Sequence, residues 1–331
     1  MSEVLLSQIA YAELISPKPD ETVKWMIGVL GLEEAAREGQ SVYLRAWTEW
    51  LHSSLIVTEG PEPALGRIGW RAYGPGDPET VSKRVEGEWV AERPGRGAAY
   101  AYRAPAGGHL HEVFWETDLY QAPPEKKDPD QLFRPQKMPA RGADARYIDH
   151  VTIATASMAD DIAFYKTLGA RHTGQIHPEP GFNVFSTMTC NAGRHTHDIG
   201  LVPDFSGATG RVNHIAYRVD QRLDVERAAQ VFMANDTPIE FGPGIHGIDE
   251  ITYVYVREPG GLRIEINSGG WVNQMPDWEP PVYGPRQSGT TLWKNIQMPE
   301  SMMECWPAVS GQQAEQGQEG FQSTDLFADK T

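Results

Sequence analysis

The chain has 331 residues, of which 40% are hydrophobic and 22% charged, and a formal net charge of -16. That length exceeds a usual single core, so two domains are expected, and the acidic balance argues against nucleic acid or an anionic membrane as partner, since both attract basic surfaces. No run approaches the roughly 18 to 20 consecutive apolar residues of a membrane span.

The opening MSEVLLSQIAYAEL has no basic leader region, and Ser7 and Gln8 interrupt its apolar run, so it reads as a cytoplasmic protein rather than a secreted one. Ile9-Ala-Tyr-Ala-Glu then has the look of a strand, and Val23, Met26, Ile27 and Leu30 give helical spacing that closes at Gly31. A second strand-like segment, Gly66 to Tyr73, is followed by a helix-compatible stretch, and a Gly-Gly turn leads into a strand ending at Glu112. Leu119 to Arg146 is rich in Pro, Lys, Asp and Arg with little periodicity, as a linker would be.

The pattern then repeats. Ile148-Asp-His-Val-Thr precedes a helix with Ser157 as N-cap, Asp160 where a capping-box acid would sit, an apolar stripe of Ile162, Tyr165 and Leu168, and Gly169 at the end. Gly210 to Tyr217 resembles Gly66 to Tyr73, Asp224 to Ala234 is helical through Val225, Ala228, Ala229 and Phe232, and a Gly-Gly turn leads to Glu265. The fold class is therefore α+β, with four βαβββ modules paired into two domains. The domains are expected at 1–120 and 146–270, with a linker at 121–145 and an extension at 271–331. Trp271, Trp278, Trp293 and Trp306 suggest that part of the extension packs, while the polar end from Ser310 suggests mobility. Cys190 and Cys305 are the only cysteines and are read as reduced thiols.

Seven of the ten histidines lie between positions 150 and 246. Strand alternation turns His150, His214 and Glu265 each away from its immediate neighbours, so three ligand types on three strands can meet in one cavity. In the first half the repeat sets Tyr11 against His150 and Trp70 against His214, and only Glu112 keeps its match to Glu265. Glu112 is thus read as structural, as are His109, His111, His172 and His177, taken as surface or strand residues. Two imidazoles and a carboxylate with open positions beside them are the ligand set of a non-haem Fe(II) oxygenase, although zinc accepts similar donors.

The stretch Tyr255-Val-Arg-Glu-Pro-Gly-Gly-Leu-Arg-Ile-Glu265, preceded at nine residues by His246 in His246-Gly-Ile-Asp249, resembles the signature of type I extradiol ring-cleavage dioxygenases of the vicinal oxygen chelate superfamily, similar to catechol 2,3-dioxygenases. The likeness spans both halves up to Asn267. It implies Fe(II), or Mn(II) in its place, held by His150, His214 and Glu265, and a catechol and dioxygen as reactants. It also implies a homo-oligomer. His246 and Tyr255 would hydrogen-bond the substrate hydroxyl. The acid-base histidine directly before a short strand would be His197, with His195 in reserve, and Asp249 is either an orienting acid or a surface turn. Tyr253 is taken as packing or cavity lining. The expected reaction is meta cleavage of a catechol to a yellow semialdehyde. Two rivals share the module: a glyoxalase-like lyase or isomerase using Zn or Ni, and a non-catalytic small-molecule binder.

Overall fold

The computed structural model describes residues 3–122, 140–190, 196–272, 275, 277–284, 291–292 and 298–309. The first half runs β1 (Leu6–Ser16), α1 (Pro19–Trp25), β2 (Glu33–Glu38), β3 (Ser41–Arg45) and β4 (Leu55–Glu59), then β5 (Ala64–Ala72), α2 (Asp77–Ser82), β6 (Gly87–Val90), β7 (Ala99–Arg103) and β8 (Leu110–Phe114). The second half repeats the order with β9 (Tyr147–Thr155), α3 (Met158–Thr167), β10 (Arg171–Ile176), β11 (Phe185–Thr189) and β12 (Ile199–Pro203), then β13 (Val212–Arg218), α4 (Arg222–Ala234), β14 (Ile239–Ile245), β15 (Ile251–Arg257) and β16 (Arg263–Gly269). These are four βαβββ units, as the repeat predicts.

In each half the two units join through their first strands, β1 antiparallel to β5 and β9 antiparallel to β13. The resulting sheets are ordered β2-β3-β4-β1-β5-β8-β7-β6 and β14-β15-β16-β13-β9-β12-β11-β10-β17, where β17 (Val282–Tyr283) extends the edge beyond β10. Helix α4 starts from a capping box between Gln221 and Asp224, and buries Val225, Ala228, Ala229 and Phe232 in one apolar cluster with Val254, Val256, Ile264 and Ile266. That packing fixes the parity of β16: its isoleucines face the helix, so Glu265 must face the hollow of the sheet. Ser157 caps α3 as expected, its hydroxyl accepting the Asp160 N–H at 3.4 Å.

The first helix departs from its predicted form. After Trp25 it widens into a π turn over Met26–Leu30, and the N–H groups of Gly31 and Leu32 both reach the Met26 carbonyl. Gly31 has φ of +94°, and a Cβ there would collide with the Arg141 carbonyl, which is why glycine ends this turn.

The halves are locked by buried polar contacts. Trp25 stacks on Phe232 and donates to Thr237 at 3.0 Å, and Thr22 donates to Glu258. Of the two readings for His109 and His111, surface or strand, the surface one fails: both are buried at this junction, with His111 on β8. His111 accepts from Trp70 at 2.9 Å and lies 3.0 Å from the Tyr165 hydroxyl, while His109 Nε2 lies 2.8 Å from the Arg211 carbonyl. Burial lowers the His111 pKa to about 3, so it serves as a neutral bridge.

Most of the expected linker, 123–139, lies outside the described residues, as do Trp293 and the end from Ser310. The stretch just before β9 packs tightly, with Ala143 and Ala145 fully buried. In the extension Trp278 donates to the Thr173 carbonyl at 2.9 Å, and Trp306 pairs through its backbone with Val212.

Candidate metal centre and active site

Register across four strands assembles the site. His150 on β9 lies opposite Ala216 on β13, Ala216 opposite Glu265 on β16, and Glu265 opposite Tyr255 on β15. His214 stands two residues before Ala216 and so shares its face. All three expected ligands therefore meet, with one donor atom from each lying within 4.8 Å of the others. His150 Nε2 and His214 Nε2 are 3.0 Å apart, and they lie 3.2 and 3.0 Å from Glu265 Oε2.

The chemistry of these atoms shows what the cluster is built to hold. Asp149 Oδ2 lies 2.9 Å from His150 Nδ1, and Asn213 Oδ1 lies 2.8 Å from His214 Nδ1. A carboxylate and an amide oxygen accept, so each Nδ1 carries the proton and each Nε2 points its lone pair inward. Both Glu265 oxygens are buried and find no hydrogen-bond donor. Three buried lone-pair donors facing one another fit a cation. Burial pushes the His150 pKa down, but the Glu265 charge and the Asp149 hydrogen bond outweigh it and raise it above the ordinary value. Burial likewise pushes the Glu265 carboxyl up, yet His150 and His214 hold it well below the carboxylate range. His214 goes the other way, lowered to about 4 by burial.

The other expected site residues gather on the same cavity, which encloses about 830 Å³ including its open mouth. His197 stands two residues before the first residue of β12, its ring 4.1 Å from that of His150, and its Nδ1 is 2.9 Å from the Thr196 hydroxyl. His195 lies outside the described residues. His246 Nε2 is 3.0 Å from the Tyr255 hydroxyl. Burial and then the Glu265 charge raise the Tyr255 pKa well above its ordinary value, so this phenol keeps its proton. Asp249 is buried in the cavity wall rather than on a surface turn, with Oδ2 3.7 Å from His197 Nδ1. Tyr253 stacks on the His246 ring at 3.9 Å.

Asp149 and Asn213 were missed from the sequence because strand parity sends them to the opposite face. Their side chains are long enough to reach back to the Nδ1 of the next residue. The readable signal was an acceptor immediately before each ligand, Asp149-His150 and Asn213-His214. Asn267, by donating to Asp149 at 3.0 Å, secures the first of these pairs.

The counterpart in the first half corrects one alignment. There Tyr11 faces Gly69 and Gly69 faces Glu112, so Gly69 corresponds to Ala216, and the residue equivalent to His214 is Arg67, not Trp70. The similar Gly-Arg…Ala-Tyr segments had set the register off by three residues. Tyr11 donates to Glu112, Arg67 donates to Glu112 at 2.7 Å, and Arg96 donates to Glu112 at 2.9 Å. Guanidinium groups thus occupy the role that a cation would take in the second half, and Glu112 is structural as expected.

Residues 147–266 match the family model of the Glyoxalase/Bleomycin resistance protein/Dioxygenase superfamily. The chain is 33% identical over 285 residues to manganese-dependent 2,3-dihydroxybiphenyl 1,2-dioxygenase of Geobacillus genomosp. 3, covering 83% of this chain and 89% of that one. It is 34% identical over 285 residues to metapyrocatechase of Geobacillus stearothermophilus, covering 84% and 86%. Among solved structures, the anaerobic complex of homoprotocatechuate 2,3-dioxygenase from Brevibacterium fuscum with 3,4-dihydroxyphenylacetate superposes with a TM-score of 0.78 over 92% of this chain and 93% of that one, at 24% identity. That last likeness is one of fold. The relatives and the His-His-Glu donor set agree on Fe(II) or Mn(II) as cofactor. The βαβββ module serves several chemistries, and kinship along most of the chain selects among them: the protein belongs to the extradiol ring-cleavage dioxygenases of the vicinal oxygen chelate superfamily.

Proposed function

We propose that this enzyme opens a catechol beside its two hydroxyl-bearing carbons with dioxygen, using Fe(II) held by His150, His214 and Glu265. The observation that carries the reading is the inward convergence of two imidazole lone pairs and an undonated carboxylate. Two of three donors are imidazoles, which suit iron better than the oxygen-rich sites typical of manganese. When bound, the ion supplies open coordination positions and a redox-active centre linking the ring to dioxygen.

The chain's own groups handle protons. Tyr255, a phenol that keeps its hydrogen, donates to a catechol oxygen, and His246 at 3.0 Å from its hydroxyl takes up the proton that leaves the substrate. His197, on the far side of His150 from Glu265's strand, supplies the proton that cleavage of the O–O bond requires; such acid-base assistance contributes about 10² to 10⁴ in rate. Asp249, beside His197, orients it. The glyoxalase-like reading assigns no role to His197, His246 and Tyr255. A cytoplasmic homo-oligomer completes the proposal, and two unpaired buried thiols suit a reducing compartment.

The test is reconstitution of metal-free protein with Fe(II), Mn(II) or Zn(II), followed by oxygen uptake and the yellow product on addition of catechol. Uptake with Fe(II) at one oxygen per ring opened is expected. An active zinc protein consuming no oxygen would overturn the proposal, and higher turnover with Mn(II) would reassign the ion.

A further inference from the structure

His246 follows β14 at the hairpin into β15 and is only half-buried, so burial alone does not hold its ring. An imidazole turns about a broad χ2 torsion, and its rotamer leaves the plane of the ring loose. The Tyr255 hydroxyl meets one edge, 3.0 Å from Nε2. The Tyr253 ring covers one face, with centroids 3.9 Å apart and planes 18° from parallel. Tyr253 is itself fully buried, in a small core with Phe241, Tyr255 and Met302, and the Phe241 ring lies 5.0 Å from it. Tyr253 and Tyr255 stand two residues apart on β15 and share a face. One strand thus carries both the ring that covers the imidazole and the hydroxyl that meets it. Across the ladder Tyr253 lies opposite Gly244, where a Cβ would collide with the phenol's hydroxyl and Cζ. Glycine leaves the space in which that ring lies.

We propose that Tyr253 is a positioning residue: by stacking on His246 it fixes the imidazole in the plane that keeps Nε2 on the Tyr255 hydroxyl, and it acts on the reaction through His246. The role in turnover rests on the ring-cleavage reading above. The stack uses the face of the ring and not its hydroxyl, so phenylalanine at this position preserves it and leucine, of comparable bulk but without a flat face, does not. Proton transfer tolerates little error in position, since a misplacement of about 1 Å can cost roughly 10²-fold in rate.

The experiment measures kcat and KM on catechol in air for the iron-loaded parent, Tyr253→Phe and Tyr253→Leu, and for each of them combined with His246→Ala. Tyr253→Leu should lower kcat by roughly 10- to 100-fold, Tyr253→Phe should recover most of that loss, and neither should slow the His246→Ala enzyme further. Gly244→Ala displaces the same phenol from across the ladder; it should reproduce the leucine effect and is the second variant should Tyr253→Leu fail to fold. The proton spectrum of the zinc-loaded, diamagnetic protein supplies a readout independent of turnover. The carbon-bound ring protons of His246, assigned by their loss in His246→Ala, should lie upfield in the parent and in Tyr253→Phe and move downfield in Tyr253→Leu. Parental kcat in Tyr253→Leu, or an equal loss with and without His246, would overturn the proposal. If the parent cleaves no catechol and the His246 signals still move in this way, the ring-cleavage reading fails and the positioning of His246 stands. If the parent cleaves catechol and leucine leaves those signals in place, the positioning fails and the reading stands.

Discussion

Asn213 ties a proposed metal ligand to the C-terminal segment: its Oδ1 accepts a hydrogen bond from His214 Nδ1 at 2.8 Å while its Nδ2 donates to the carbonyls of Met302 at 2.9 Å and Glu304 at 3.1 Å. One amide thus sets the imidazole's tautomer and holds the C-terminal segment beside the cavity. Asn213→Ala should weaken metal binding by roughly 10- to 100-fold, the usual cost of losing a partner that orients a ligand. Competition against a chelator measures it. Unchanged affinity would show that His214 is oriented by packing alone.

Glu265→Ala should abolish metal retention, because it removes the anionic donor of the cluster, as read by metal content after desalting. His197→Phe should leave metal and anaerobic catechol binding intact and slow turnover by about 10² to 10⁴. Normal turnover in that variant, with loss in His195→Phe, would move the acid-base role to His195.

Glu240 gives an acid limb to stability. Burial raises its carboxyl, but hydrogen bonds from Arg263 and Arg257 prevail and bring it from 4.5 to about 2. A depressed acid stabilises the fold fully above its unfolded value and loses that contribution as pH falls through its folded one. The Tm difference between the parent and Glu240→Gln should therefore be constant at neutral pH and shrink as pH falls from about 4.5 toward 2. A difference that does not change with pH would mean the network acts through shape rather than charge.

Arg67→Ala should destabilise the protein by about 3 kcal/mol, since it removes one partner of a buried carboxylate, and leave metal content unchanged. Denaturation and metal analysis on one sample separate the two effects. Loss of metal would refute the assignment of Arg67 and Glu112 to structure.

The architecture was legible because β-strand parity and helical spacing leave strong marks: the stripe from Val225 to Phe232 on α4 and the Gly-Gly turns gave the modules and turned Glu265 inward. The register of β5 was not legible, since two segments sharing Gly-Arg and Ala-Tyr look aligned while hydrogen bonding places Arg67 where Trp70 was expected. The π turn at Met26–Leu30 ends at Gly31 against a distant carbonyl, that of Arg141, a contact that local helical spacing does not announce. Met298 and Met302 reach the cavity from a segment without periodicity, so their place there follows only from the anchoring of that segment by Asn213, Arg211 and Arg263.

The guanidinium groups clasping Glu112 give the molecule an internal control. One half carries its positive charge in the covalent chain, and the other must obtain it from outside. Removal of the metal should therefore loosen the second sheet while the first stays as it was, a lopsided response that amide hydrogen exchange can display along a single polypeptide.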